Sequence, residues 1–354
     1  MSLTVLSVAY PFAAVGPDAV GGAEQVLWQL DRTLTAAGHR SIVVAREDSQ
    51  VTGVLVPVPK LGRAIDEAAR QAAWQAHRQA ILTALGRFPI DLVQMHGLDF
   101  HEYLPPPGAP VLATLHLPPG WYPPEALRPV RPDTWLNCVS DTQQRACPPG
   151  LNLLAPIANG VDLAAFADRQ SKRRFALFLG RICPEKGVHI AVEAARRAGM
   201  PLIVAGEVFP YEAHRRYFAE VVEPRLDAER RFIGAVGGGR KRRLLAAARC
   251  LLVPSLAPET SSLVAREALA AGTPVVAFPA GALAETIEHG RTGFLVRDAE
   301  EMADAIGAAD ALDPALCRQV AGERFPLARM VEGYFAAYAA LTARADSMRL
   351  AGAA

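Results

Sequence analysis

At 354 residues the chain is longer than one core usually grows, so two domains are expected. Hydrophobic residues make up 51% and charged residues 21%, the balance of a globular protein rather than a disordered or membrane-spanning one. A formal net charge of +1 gives no electrostatic footprint for nucleic acid, so no nucleic-acid partner is expected. The five cysteines, Cys138, Cys147, Cys183, Cys250 and Cys317, contain no Cys-x-x-Cys and no zinc-like grouping with histidine, which fits a reduced cytosol.

In chain order, the apolar start Leu3 to Tyr10 lacks a basic leader and runs into Pro11 and Gly16, so it reads as a strand rather than a signal peptide. Strands at 3–9, 41–45, 53–57, 91–95, 111–115 and 135–139 alternate with helices near 22–37 and 64–86, a pattern that predicts a parallel sheet. The polar stretch Asn159 to Lys172 reads as a linker. A second series follows, with strands at 175–179, 201–205, 231–234, 250–253, 274–277 and 293–296. Its helices fall near 186–198, 211–222, 240–249, 262–271, 281–288 and 299–309, and a last helix near 326–344 carries a Phe, Tyr and Leu stripe. No run of about 18 apolar residues occurs, so no membrane span is predicted.

Two segments carry chemistry. Residues 175–187 form an apolar run followed by a glycine turn bearing Arg181 and Lys186. A guanidinium fork and a compact ammonium beyond a strand's carboxyl end suit a diphosphate clamp, although either alone is an ordinary solvated cation. Further on, Glu259-Thr-Ser-Ser-Leu-Val-Ala-Arg-Glu267 places two carboxylates across a polar turn, before a helix that ends at Ala271-Gly272-Thr273-Pro274. Thr260, Ser261 and Ser262 are helix-capping types, which predicts Glu259 on the loop and Glu267 one to two turns into the helix. Free N–H groups and the helix dipole at such a terminus attract phosphate, and a carboxylate beyond it accepts from sugar hydroxyls. For the glutamates alone, a solvated helix face is the plain alternative.

Leu-Gly-Arg-Ile-Cys-Pro-Glu-Lys-Gly (179–187), the Glu-x7-Glu element, Ala-Gly-Thr-Pro-Val-Val-Ala (271–277) and Glu-His-Gly-Arg-Thr-Gly-Phe-Leu-Val (288–296) together resemble the retaining glycosyltransferases of family four. Gly21-Gly22-Ala23-Glu24, Ala37-Gly38-His39, Thr114-Leu115-His116 and Asn159-Gly160-Val161-Asp162 stand where that family places similar motifs, so the resemblance covers nearly the whole chain. It implies an α/β chain of GT-B fold, with two Rossmann-like parallel-sheet domains facing a central cleft and the C-terminal helix crossing back to the first. The implied domains are 1–163, with the last helix at about 326–354, on the acceptor side, and 164–325 on the nucleotide-sugar side.

By that resemblance Gly21, Gly22, Arg181, Lys186, Ser262, Leu263 and Glu267 bind the donor, with Gly16 a further candidate. His116, Arg181, Lys186 and Glu259 are the catalytic candidates. The glycine pair is not a Gly-x-Gly-x-x-Gly fingerprint and does not read as a dinucleotide site. His116 ends a strand where the family has a histidine beside the donor sugar; the alternative is a structural histidine. On the acceptor side stand His96, with His101 beyond Gly97, and Trp121 and Tyr122 on the proline-stiffened loop 116–124, which either stack on a sugar or anchor the loop. His39 and His189 read as structural, and Gly239 to Arg243 as the exposed start of a helix or, alternatively, as a phosphate or membrane contact. Arg63, Arg70, Arg78 and Arg87 line a solvated helix or, alternatively, rest on anionic lipid. A cytoplasmic protein, with peripheral contact at the inner face of the membrane as that alternative, is the expected location.

No Asp-x-Asp occurs, so the implied mechanism requires no metal and no cofactor. Arg181, Lys186 and the helix start at 261–263 would then neutralise the leaving diphosphate. The implied reaction is retaining transfer of a glycosyl unit from a UDP or GDP type sugar to a hydroxyl acceptor, which is a sugar, a lipid-linked sugar or a small molecule. Two departures bear on donor choice: Thr260-Ser261-Ser262 replaces the family's frequent Pro-Phe-Gly, and Arg266 replaces an aliphatic residue. A non-hydrolysing nucleotide-sugar epimerase and a catalytically silent GT-B scaffold are the competing readings. A glycosidase is not expected, because its two carboxylates must flank a glycosidic bond.

Overall fold

A computed structural model describes residues 2–61 and 65–352, so Arg63 lies outside the described residues. The chain divides into two compact units: Met1–Ala158 with Met330–Ala354, and Asn159–Arg329.

The first unit contains β1 (Thr4–Val8), α1 (Gly22–Ala36), β2 (Arg40–Arg46), β3 (Val54–Val58), α2 (Glu67–Arg87), β4 (Leu92–Met95), β5 (Val111–Leu115), α3 (Pro124–Leu127), β6 (Thr134–Cys138) and α4 (Asp141–Arg145). Its strands form one parallel sheet in the order β3-β2-β1-β4-β5-β6. Every residue of β1 is buried, as a parallel strand covered on both faces requires. Alternation sends Leu6, Ile42 and Val44 toward Ile81, Ala84 and Phe88 of α2 and its end, while Val43 and Ala45 pack with Leu27 of α1.

The second unit repeats the plan with β7 (Ala176–Leu179), α5 (Val188–Arg197), β8 (Leu202–Ala205), α6 (Glu212–Tyr217), β9 (Arg230–Phe232), α7 (Gly238–Ala247), β10 (Cys250–Val253), α8 (Leu263–Ala270), β11 (Val275–Ala277), α9 (Leu283–Thr286), β12 (Gly293–Leu295), α10 (Ala299–Ala308) and α11 (Pro314–Arg324). The sheet order is β12-β11-β10-β7-β8-β9, all parallel. Phe178 and Leu252 face Val192 of α5 and Ile306 of α10. Their neighbours Leu177 and Leu251 face Leu269 of α8 and Ala321 of α11.

The last helix, α12 (Leu327–Gly352), leaves the second unit at Arg329 and joins the first from Met330 onward. Within the first unit, Gln94 and Tyr334 meet the Thr114 hydroxyl at 2.9 and 3.1 Å, and that hydroxyl donates to Asn137 at 2.8 Å. Thr114 has a single proton and gives it to Asn137, so Tyr334 must be the donor in its contact. Arg344 lies over the Trp135 ring at 4.7 Å and continues the attachment.

Three features differ from the sequence expectation. The helix near 211–222 is α only to Tyr217 and then widens to a π turn over Phe218–Val222. The expected boundary near 163 falls earlier, because Val161 pairs with the 325–327 strip inside the second unit: its N–H donates to Phe325 O at 2.8 Å and its carbonyl accepts from Leu327 at 3.0 Å. Helix α11 was not expected, since it buries only Cys317, Val320 and Ala321 and so shows a faint apolar stripe. Its Asp313 cap, accepting from Ala315 N at 2.8 Å ahead of Pro314, is the signal that sequence reading passed over.

Candidate active site

In the second sheet the chain runs outward from β7 through β8 to β9, then returns to place β10 against the other edge of β7. Loops leaving the carboxyl ends of β7 and β10 diverge there, and such a point is where open α/β sheets bind ligands. The first loop holds Arg181 and Lys186 and the second holds Ser255 and Glu259, so the two sequence segments singled out for chemistry meet at one place. Gly187, at φ +63°, ends the first loop in the left-handed region, and a Cβ there would lie 2.1 Å from Pro254 O on the second. The Glu185 carbonyl accepts from Leu256 N at 2.8 Å and ties the loops together from the other side.

Lys186 Nζ lies 2.6 Å from Glu259 Oε1, which also accepts from the Ser255 hydroxyl. The two side chains retain 26% and 10% of their exposure, which leaves the pair reachable without being solvated. Burial by itself would raise the Glu259 carboxyl, but Lys186, the Ser255 hydrogen bond and the nearby Arg181 charge outweigh it and hold the group below the ordinary glutamate value. Glu259 is fixed by its backbone as well, because its carbonyl accepts from Ala282 N at 2.7 Å on the turn after β11. Lys186, with Arg181 five residues before it on the same loop, is therefore paired with an ionised carboxylate that is already in place.

The expected cap at the start of α8 takes another form. Ser262 adopts φ +52° and makes no side-chain cap, and the Ser261 and Ser262 hydroxyls are buried without hydrogen-bond partners. Leu263 and Val264 have no intrahelical acceptor for their N–H groups. Two orphan hydroxyls beside N–H groups without a helical acceptor offer the donors that anions take. Glu267 sits one turn inside α8 and is buried, with Lys241 Nζ 2.5 Å from its Oε1. That corrects the reading of Gly239 to Arg243 as merely an exposed helix start: Lys241, in the first turn of α7, retains 18% side-chain exposure and points at the candidate ribose-binding carboxylate. Arg266 is fully buried, donates to the Asn159 carbonyl and lies 4.6 Å from the Phe325 ring centre, and burial lowers it to about 10. The second departure from the family pattern is thus bonded within the unit's core.

In the first unit the switch point lies between β1 and β4. Gly21 precedes α1 and Gly22 opens it, and a Cβ on Gly21 would come 1.8 Å from the Glu24 carboxylate. Gly16 lies on the same loop, 3.7 Å from Gln50 by the same measure. His96, ending β4, and His116, ending β5, form one unit: His96 Nδ1 and His116 Nε2 are 3.1 Å apart and the rings stack at 5.3 Å. Burial pushes His116 down to about 4, and burial, with the second imidazole beside it, also holds His96 well below its ordinary value, so both imidazoles are neutral donors and acceptors at neutral pH. The acceptor candidates separate. Trp121 is 47% exposed at the tip of a short 3-10 turn. Tyr122 is buried, and its hydroxyl accepts from the N–H groups of His116 and Leu117 at 2.9 and 3.2 Å. Tyr122 therefore anchors the loop, because its hydroxyl is tied to two backbone donors and its ring is shut off from solvent.

The comparisons with known proteins divide along the same line. Residues 173–309 match the model for glycosyl transferases group 1, and residues 20–141 match that for glycosyltransferase family 4. A glycogen synthase of Mycobacterium tuberculosis (strain ATCC 25618 / H37Rv) is 33% identical over 188 residues, which is 49% of this chain and 44% of that protein. The chain thus spans less than half the length of that relative. The phosphatidyl-myo-inositol mannosyltransferase of Mycolicibacterium smegmatis is 28% identical over 82% of this chain and 81% of its own. Among solved structures, a glycosyltransferase involved in avilamycin A biosynthesis superposes with a TM-score of 0.71 at 25% identity, covering 96% of this chain and 98% of that one. Two parallel α/β units, each matched by a glycosyltransferase model, define a protein of GT-B class. The chain carries both domains of a GT-B glycosyltransferase.

Proposed function

We propose that the protein transfers a glycosyl unit from a UDP or GDP type sugar to a hydroxyl acceptor, with retention of anomeric configuration and without a metal in the transfer step. The observation that carries this reading is the junction of Arg181, Lys186 and Glu259 at the β7/β10 switch point, beside the anion-ready start of α8. The donor's diphosphate would lie against Arg181, Lys186 and the N–H groups of Ser262 and Leu263, and Glu267 would accept from the ribose diol. Two cations and a helix terminus supply the charge that a divalent ion would otherwise bring.

Retention is supported by the partners of Glu259. Its carboxylate is engaged by Lys186 and Ser255, an arrangement that orients hydroxyls and blunts a nucleophile. In the step proposed, the acceptor oxygen bonds to the anomeric carbon on the face from which the diphosphate departs. The bond to the phosphate oxygen breaks with its electron pair, and that oxygen receives the acceptor's proton. Neutral His116 fits a hydrogen-bonding role toward sugar hydroxyls, and His96 and Trp121 remain the acceptor-side candidates. Relatives named for glycogen synthesis and for mannosyl transfer to phosphatidyl-myo-inositol support a carbohydrate or lipid-linked acceptor. Proton NMR of the product from an α-linked donor is expected to show an α-linkage. A β-linkage, or a glycosyl adduct trapped on Glu259, would overturn the mechanism, and an epimerised nucleotide sugar formed without acceptor would replace it with epimerase chemistry.

A further inference from the structure

The sequence shows no zinc-like grouping of cysteine with histidine, but folding makes one. Cys183 and Glu185 leave β7 on the first loop, and His214 projects from α6 some thirty residues later in the chain. Their ligand atoms all lie within 4.8 Å of one another. Cys183 and His214 are buried and Glu185 is half-buried. Two polar atoms in the group have no hydrogen-bond partner, Glu185 Oε2 and His214 Nδ1, although each is shut off from solvent. Buried polar atoms are nearly always paired, so two orphans on residues of one cluster mark the place of an absent ligand.

We propose that Cys183, Glu185 and His214 form a binding site for a thiophilic divalent cation of the zinc class. The donor set selects the ion: a thiolate and an imidazole suit zinc or cobalt, whereas magnesium and calcium require oxygen ligands. The dimensions fit as well. With bonds of about 2.0–2.3 Å, ligand atoms around a tetrahedral zinc stand roughly 3.5 Å apart, so closing the present cluster requires movements on the order of 1 Å. Charge balances, because a thiolate and a carboxylate together neutralise a 2+ ion in a buried setting. On binding, the Cys183 S–H bond gives its proton to solvent and its electron pair to the metal, His214 gives a neutral nitrogen lone pair, and water completes the fourth position. The ion would stiffen the turn whose Glu185 carbonyl holds Leu256 N, one residue before Lys186.

The site supplies no group to the bonds made and broken in the proposed transfer, and its readouts are spectroscopic and thermal, so it stands or falls apart from the reading of the donor site. Cobalt(II) titration of the full chain tests it. Cys147→Ser serves as background, because Cys138 and Cys147 sulfurs lie 3.5 Å apart and are a second thiol pair able to take metal. The expected result is a saturable one-to-one thiolate-to-cobalt charge-transfer band that zinc displaces and that Cys183→Ser abolishes. Glu185→Gln, at a half-buried position where misfolding is a smaller risk, should weaken binding at least as much as the about 10–100-fold attached to loss of a supporting partner. Zinc should raise the melting temperature of the background protein but not of Glu185→Gln. No saturable band, a band that survives Cys183→Ser, or zinc stabilisation unchanged in Glu185→Gln would overturn the assignment.

Discussion

Lys186 and Glu259 make the sharpest statement at the scale of single residues. Removing one member of a fully buried ion pair costs about 3–5 kcal/mol, and the partial exposure of Lys186 reduces that figure here. The effect on chemistry should exceed the effect on folding, because charge on the leaving diphosphate grows as the glycosidic bond breaks. Lys186→Ala and Arg181→Ala are each expected to lower kcat by about 10²–10³ at saturating donor, by analogy with removal of one preorganised donor. Near-wild-type turnover in either variant would move the clamp elsewhere. Both cations and both glutamates were legible in the sequence from strand, glycine turn and capping types. The Lys186–Glu259 bond was not, because it joins positions 73 apart and no local pattern encodes it. Ser255 and Lys241 were missed for related reasons: one is a lone serine after a strand, and the other is hidden in the run Arg240-Lys241-Arg242-Arg243. Tyr122 was left between two roles in the sequence because an aromatic residue on a proline-rich loop looks the same whether it faces a ligand or the core.

The histidines give a pH signature. Burial lowers His77 and His116 from the ordinary 6.5 to about 4, so unfolding lets each take up a proton that the folded state refuses. Stability is therefore fully present above about pH 6.5 and falls as pH drops toward 4, by about 1.4 kcal/mol per pH unit for each histidine. Denaturant unfolding between those limits should show a shallower slope for the His77→Gln, His116→Gln double variant. Equal slopes would mean that folding does not depress either imidazole.

At the scale of elements, α8 is where local preference and fold disagree. Ser262 stands at φ +52°, a region that charges an L-residue roughly 1–2 kcal/mol, and its hydroxyl is buried without a partner. Glycine removes that strain but adds about 0.5–1 kcal/mol of backbone entropy. Ser262→Gly is thus expected to stabilise the protein slightly, by up to about 1 kcal/mol in chemical denaturation; a clear loss of stability would show that the serine is not strained. Strain held at a ligand-facing turn is common at functional sites, where surrounding structure fixes the geometry. Sequence reading placed α8, Glu267 within it and Glu259 on the loop before it, but expected serine caps, since capping statistics do not report backbone hand. It also missed α11, whose small, weakly apolar face the pattern understates.

At the scale of the whole molecule, the sequence carried the architecture further than the site. Two series of buried strands, each alternating with helices, suffice for two parallel sheets, because strands covered on both faces read as continuous apolar runs. Strand order is less visible, yet the order β12-β11-β10-β7-β8-β9 decides which loops become neighbours and so brings Arg181 and Lys186 to Glu259. Among the described residues, no helix is long and apolar enough to cross a membrane. The account's central claim is that the second unit holds a nucleotide sugar at that switch point, with Glu267, supported by Lys241, on the ribose. Titration calorimetry of UDP- and GDP-sugars in the presence of chelator tests this most directly. The wild type should bind one of the two classes, Glu267→Ala should lose an order of magnitude or more in affinity, and Lys241→Ala should lose part of that. No binding by the wild type in chelator, or unchanged affinity in Glu267→Ala, would contradict it.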